Sequence, residues 1–347
     1  MEIPASVIRI DSQDNLSIDS PELVSLRDDC FPELLGTEKE PMEYWLWKHG
    51  PNNEGVSSDY LFARVEPESV LAGFYAARRL TYTTPNGPIE VGLVCDVMTS
   101  PSFQGRGVFT QLGREAVNSF LVKNFDTLTG YPIRKNVLPG HRKVGWSFTD
   151  RLPIFVAPGG SVYWKLRSAR PKLQKSSVSS CAPSSLTSES GFSNFYEKWK
   201  LKAQLQKWSY LDLSDEFVGW RYSAPSVSYI ASIAKDIDGA VIGFAIGKRL
   251  KIGRLHYLVI GDFRVIDCGV VPLIIADLKS QSKNVFGVAG MFSDAVSKDL
   301  HLKRYGFVST LKKFWLIQFT KKMLESSLEA DTTLTNPYLT WSDTDDI

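Results

Sequence analysis

Two glycines, Gly105 and Gly107, sit among polar residues in "SPSFQGRGVFTQLG" (100–113), between an apolar run and an amphipathic one. A strand that runs into such a loop and then a helix presents free backbone N–H groups and the positive end of a helix dipole, which together bind phosphate. Glycine lets the backbone approach a diphosphate closely and adopt conformations closed to other residues. The segment lacks the Lys-Ser/Thr pair of a P-loop, and it lacks the third glycine and β-α-β setting of a dinucleotide fingerprint. Three titratable side chains flank it. Asp96 and Glu90 lie on or beside the preceding apolar run, and strand alternation predicts that they share a face. His141 follows further on, with Arg142 and Lys143 beside it. Its imidazole titrates near neutral pH, and like charge from its neighbours would lower that value.

These residues need elements to hold them. "YLFARV" (60–65), "VLAGFYAARRL" (70–80) and "IEVGLVCDVM" (89–98) are rich in β-branched and aromatic residues, with "EPES" and "TTPNGP" between them. They predict three successive antiparallel strands before the loop. After it, Val108, Phe109, Leu112, Ala116, Val117 and Phe120 recur at three- and four-residue steps, which predicts a helix with one apolar face. "DTLTGYP" reads as a strand, "LPGHRKVGW" as a short helix or turn, and "PIFVAP" with "SVYWKL" as closing strands.

A length of 347 residues exceeds that at which single cores usually stop growing, so two domains are expected. The serines and prolines of 170–193 read as a linker between residues 1–169 and 194–325, followed by an acidic tail, 326–347, either frayed or docked through Trp341. The order of elements returns in the second half. "SYIASIA" and "AVIGFAIG" flank "KDIDG" as a hairpin, "RLHYLVIG" makes a third strand, and "VPLIIADLKSQ" reads as a helix. "RKVGWSFT" and "KRYGFVST" share a pattern whose glycines, Gly145 and Gly306, lie 161 positions apart, which suggests a duplicated domain. The second half's counterpart of the loop, 261–275, has no such glycine pattern, and Asp262 and Asp267 would repel a diphosphate.

Lys and Arg total 40 against 38 Asp and Glu, a formal net charge of +2, so the broad basic footprint of a nucleic-acid binder is missing. Four scattered cysteines form neither a zinc pattern nor a disulfide framework; no metal site is expected, and reduced thiols point to the cytoplasm. The first twenty residues lack the basic and apolar blocks of a signal peptide, and no apolar run reaches membrane-spanning length.

"DVMTSPSFQGRGVFTQL" resembles motif A of the GNAT superfamily, the acyl-CoA-dependent N-acetyltransferases, whose pattern is Gln/Arg-x-x-Gly-x-Gly/Ala after the fourth strand. Gln104, Gly107 and Phe109 take the three slots, with phenylalanine in place of the last small residue. "HRKVGW" is similar to the family's Tyr-x-x-x-Gly-Phe ending, with His141 for tyrosine and Trp146 for phenylalanine. The likeness covers about residues 61–164 directly and 195–320 as an order of elements, and extends to bacterial two-domain GNAT proteins associated with surface-polysaccharide sugars.

The resemblance implies an α+β fold with a mixed α/β sheet: two GNAT-like domains in tandem, each a mostly antiparallel sheet flanked by helices. It implies acetyl-CoA as co-substrate. The backbone of Val97, Met98 and Thr99 would pair with the pantetheine arm. Gln104, Gly105, Arg106, Gly107, Val108 and Phe109 would hold the pyrophosphate through their N–H groups, with Arg106 adding charge. Acetyl transfer needs a neutral amine, a polarised thioester carbonyl and a proton for the thiolate. A backbone N–H near residues 97–99 serves the second need. His141 stands where the family's proton donor does, unless it is a solvated helix residue. For the base, Asp96 is the first choice and Glu90 the second; a structural aspartate, with protons passed through water, is the competing reading.

The leading expectation is therefore a cytoplasmic N-acetyltransferase acting on a small-molecule amine such as an amino sugar of surface polysaccharide. A non-catalytic acyl-CoA-binding or scaffold protein is the alternative from another class. An aminoacyl transferase of the peptidoglycan-precursor type is the enzymatic alternative, although near-neutral charge disfavours its charged-tRNA donor. No oligomeric state is implied.

Overall fold

Segments rich in β-branched and aromatic residues recur along the chain, and among the described residues they assemble into a single sheet of 14 strands. A computed structural model describes residues 8–11, 17–37, 39–50, 57–160, 163–164, 176–282, 284–324 and 332–344. The first-half strands are β1 (Ile8–Asp11), β2 (Ser58–Val65), β3 (Val70–Thr84), β4 (Gly87–Thr99), β5 (Thr127–Gly130) and β6 (Ser147–Pro158). Then come β7 (Ser177–Cys181), β8 (Ser209–Leu211), β9 (Tyr229–Lys235), β10 (Val241–Ile252), β11 (Leu255–Val265), β12 (Gly287–Met291), β13 (Val308–Thr320) and β14 (Pro337–Tyr338). Their order is β1-β2-β3-β4-β5-β13-β6-β12-β11-β10-β9-β7, with β8 attached to β3 and β14 to β8. Most pairs are antiparallel. β4 with β5, β11 with β12 and β8 with β14 run parallel.

The order crosses between the halves. β13 lies between β5 and β6, with Ile317 opposite Gly130 on one side and Phe148 on the other. β6 continues onto β12, from Ile154 against Met291 to Pro158 against Gly287. β6 and β13 thus each sit beside a strand of the other half.

Four helices of the first half matter for the site: α1 (Pro21–Cys30), α2 (Met42–His49), α3 (Val108–Lys123) and α4 (Leu138–Val144). The predicted apolar face of α3 is buried through Val108, Leu112, Ala116, Val117 and Phe120 against residues such as Tyr75, Leu128 and Ile317. The valine, leucine and phenylalanine side chains among them each contribute about 1.5–3 kcal/mol by leaving water. Phe109 departs from that face and turns toward His141. On the opposite side of the sheet, Leu23 and Leu26 of α1 and Trp45 of α2 pack on Phe62, Phe74 and Met98. Helix α2 also docks on the helix Asp215–Arg221. Trp47 and Trp220 stack at 4.8 Å, and each donates its indole N–H to the other's carbonyl, at 2.9 and 3.0 Å.

Three expectations are corrected. The Ser/Pro-rich stretch is not an open linker over its described part. Ser177–Cys181 pairs with β9, Leu186 is fully buried, and a helix starts at Phe192; residues 170–175 lie outside the described ones. Serine is tolerated there because β7 is an edge strand whose polar side chains meet water. In "SVYWKL", Tyr163 and Trp164 form a helical turn rather than a strand, with Trp164 buried and its indole bonded to Pro158 O at 2.7 Å; the rest lies outside the described residues. The tail is docked over residues 332–344, but Trp341 shares that task with the fully buried Leu334, Tyr338 and Leu339.

Candidate active site

Strands β4 and β5 pair from Val91 opposite Thr127 to Val94 opposite Gly130. There β5 ends while β4 runs on to Thr99, so backbone N–H and C=O groups of residues 95–99 face an opening on that side. A bulge marks the same place. Phe74 and Ala76 of β3 face Met98 and Cys95, which leaves one extra residue in β4, and Asp96 takes φ +47°. The extra residue breaks the alternation that sequence reasoning carried from Glu90 to Asp96.

Beyond Thr99 comes a turn at Pro101–Phe103 and then the glycine loop. Gly105 has φ +77° and Gly107, the N-cap of α3, has φ +87°. Glycine is required by conformation rather than crowding: a Cβ on Gly105 would meet nothing within 4 Å, and one on Gly107 only Gln111 Nε2 at 3.5 Å. No side chain caps α3, and the amides of its first turn have no intrahelical acceptor. Open space and unclaimed N–H groups are what an anion needs, so the loop fits a diphosphate. Gln104, Gly105, Arg106 and Gly107 are exposed, Val108 is buried and Phe109 half-buried. The Arg106 guanidinium rests 5.3 Å from the Phe103 ring.

Two cavities meet here. An outer one of about 390 Å³ is lined by Met98, Thr99, Gln104, Gly105, Gly107 and Val108, among others. An inner one of about 290 Å³ is reached past Val97 and Phe109, and its walls include Trp45, Lys48, Asp96, Tyr131 and His141. The loop, the open edge of β4, Asp96 and His141 are therefore brought together.

Asp96 is held by two partners that sequence reasoning missed. Its Oδ2 lies 2.6 Å from Lys48 Nζ and 2.7 Å from His49 Nε2, at the end of α2. Burial works to raise the Asp96 carboxyl, but the Lys48 ammonium and the His49 hydrogen bond outweigh it and hold the group far below the usual carboxylate range. Burial pushes His49 down despite Asp96, so the imidazole is neutral at pH 7 and donates from Nε2. His49 Nδ1 is buried with no hydrogen-bond partner among the described residues. His49, Cys95 and Asp96 place potential metal-ligand atoms within 4.8 Å of one another, but the Lys48 ammonium already sits on the carboxylate oxygen that a cation would need. The signal for α2 was faint because "MEYWLWKH" is short and carries aromatic residues on more than one face.

His141 is buried edge-on to Phe109 at 5.2 Å and to Trp146 at 5.6 Å. Burial lowers its pKa to about 4. The cause is loss of water contact, not the like charge of Arg142 and Lys143, and the imidazole is neutral at pH 7. Glu90 is not at the site. It lines neither cavity, pairs with Arg79 at 3.2 Å and accepts from Thr81 Oγ1 at 3.0 Å, about 20 Å along the strand from Asp96. Glu90→Gln is accordingly expected to leave donor binding unchanged and to shift stability by less than about 1 kcal/mol, read by calorimetry and by denaturant midpoint.

The stretch around 261–275 in the second half is closed. Arg264 and Asp262 are buried at the end of β11, Tyr338 of the tail donates to Phe263 O at 2.8 Å, and Asp267 caps its own turn by accepting from Gly269 N at 2.7 Å. Among the described residues, no helix is long and apolar enough to cross a membrane.

Residues 19–149, the segment that holds both cavities' main walls, match the acetyltransferase (GNAT) domain family. No curated protein matches in sequence. Solved structures share the fold. A GCN5-related N-acetyltransferase from Anabaena variabilis aligns over 90% of this chain and 72% of its own, with TM-score 0.65 and 14% identity. A probable N-acyltransferase from Enterococcus faecalis aligns over 91% and 73%, with TM-score 0.65 and 13% identity. The N-myristoyltransferase of Saccharomyces cerevisiae, solved with bound myristoyl-CoA, aligns over 92% and 80%, with TM-score 0.57 and 8% identity.

Proposed function

We propose that this chain is a cytoplasmic N-acyltransferase that moves an acetyl or closely related acyl group from CoA to the amine of a small molecule, an amino sugar being the first acceptor to try. The observation that supports it is the pairing of a glycine-built anion cradle with an open strand edge leading into an inner cavity that holds a fixed carboxylate. We further read the chain as two GNAT-like units, of which the first carries the donor site and the second serves as partner wall.

In this reading the amides of Gly105, Gly107, Val108 and Phe109 hold the donor's diphosphate, those of Gln104 and Arg106 already donating to Pro101 O and Phe103 O, and the backbone of Val97, Met98 and Thr99 lines up its pantetheine arm as an added strand would. Backbone N–H groups at the bulge face the carbonyl oxygen as it gains charge. Asp96 is too strongly paired to act as an effective base. Its second oxygen, Oδ1, instead accepts a hydrogen bond from the incoming amine and orients it, while water in the cavity takes the amine's proton and passes one to the departing CoA thiolate. His141 is not an imidazolium at pH 7, which makes it a poor proton donor for the thiolate. Its role is to hold the wall between the cavities with Phe109 and Trp146.

A thiol-release assay over a panel of amines, run with acetyl-CoA, tests this. Release well above the rate of acetyl-CoA hydrolysis for at least one amine is the expected result. Calorimetric binding of acetyl-CoA with no amine-dependent release would favour the non-catalytic alternative.

A further inference from the structure

Phe31, Val97, Phe109, Arg134 and Val137 line both cavities, so these five residues form the neck between them. Val97 comes from β4 and Phe109 from the first turn of α3. Phe31 follows α1, and Arg134 belongs to the segment between β5 and α4. The two are bound to each other across the neck. Arg134 donates from Nη1 and Nη2 to Cys30 O at 3.1 Å each, pairs with Glu33 Oε1, and places its guanidinium 5.1 Å from the Phe31 ring. Cys30 is in turn tied to the sheet, its Sγ donating to Thr99 O at 3.4 Å. Any molecule reaching from the glycine loop to Asp96 passes this arch.

We propose that Arg134 is a gate for the donor, which swings off Cys30 and Glu33 to admit it and closes again over its arm. This rests on the donor reading given above. Arg134 and Glu33 keep 43% and 56% of their side-chain surface in water, so solvent replaces the ion pair readily and holding it shut costs little to undo. Opening needs rotation of one long side chain, because the backbone on the Phe31 side is anchored through Cys30. A binding arginine with no gating role would need no bonds to the opposite wall in the absence of the donor. Here three kinds of contact to residues 30–33 are already made, which is the arrangement of a closed latch.

Stopped-flow mixing with acetyl-CoA, followed through the fluorescence of Trp45 in the inner cavity, separates the possibilities. For Arg134→Gln, association and dissociation rates are both expected to rise at least about fivefold, with Kd by calorimetry changing less than about threefold. Glu33→Gln, which leaves the arginine in place, is expected to move both rates in the same direction by less. Unchanged rates in both variants overturn the gate. So does a weaker Kd with an unchanged association rate, which would make Arg134 a simple phosphate ligand. If the parent protein shows no heat with acetyl-CoA, the donor reading itself fails and the gate falls with it. Normal parent binding with variant rates unaltered sinks the gate alone. Both side chains are exposed, so thermal melts of the variants are expected to match the parent.

Discussion

Gly107→Glu is expected to weaken acetyl-CoA binding at least about 100-fold by calorimetry, equivalent to roughly 3 kcal/mol. Two effects add. The backbone at φ +87° costs a residue with a β-carbon about 1–2 kcal/mol, which pulls the loop away from its present shape. The new carboxylate also stands at the mouth of an uncapped helix, where a diphosphate would have to sit beside it. Gly107→Ala carries the strain without the charge, and a loss nearer about tenfold is expected for it. Space is not the issue, since Gln111 Nε2 at 3.5 Å is the nearest atom to the added carbon. Equal, small losses in both variants would show that the cradle does not hold an anion.

Asp96→Ala is expected to destabilise the fold by about 3–5 kcal/mol, because it breaks a buried ion pair by removing the carboxylate 2.6 Å from the Lys48 ammonium. In a chain of this size that corresponds to a fall in melting temperature on the order of 5–10 °C. Asp96→Asn keeps hydrogen-bonding atoms but not the charge, and an intermediate loss is expected. The pH dependence follows from the sign of the shift. Asp96 titrates lower in the folded protein than in the unfolded chain, so its contribution is complete above the ordinary carboxylate value and is lost as pH falls below about 4. The parent should therefore lose stability on acidification more steeply than Asp96→Ala. Parallel acid-melting curves would contradict the assignment of this ion pair.

The local signals in the chain were readable wherever one segment settled its own structure. The strands around 60–65, 70–80 and 89–98 and the helix from Val108 follow from periodicity, and the glycines of the loop from the conformations that only they adopt easily. Misreadings arose where a distant group decided the outcome. Glu90 was placed with Asp96 because alternation was carried across a bulge that appears only when β3 is laid against β4. His141 was judged by its charged neighbours in sequence, whereas Phe109 and Trp146, which arrive through the fold, remove its water. Lys48 and His49 were overlooked because nothing in an eight-residue aromatic helix announces that its end will meet a carboxylate nearly fifty positions later. The serine-rich stretch looked unstructured because an edge strand can be polar on both sides.

The placement of β13 between β5 and β6 has a bearing on how this chain can be divided. Ile317, carried by β13, reaches the wall of the inner cavity, so that compartment is finished by a strand lying nearly 190 positions after its neighbour β5. A gene fragment stopping after β6 would leave β5 with a bare edge and β6 without either neighbour, and neither piece would be a self-sufficient folding unit. The absence of a glycine loop over 261–275 therefore does not make the second half dispensable.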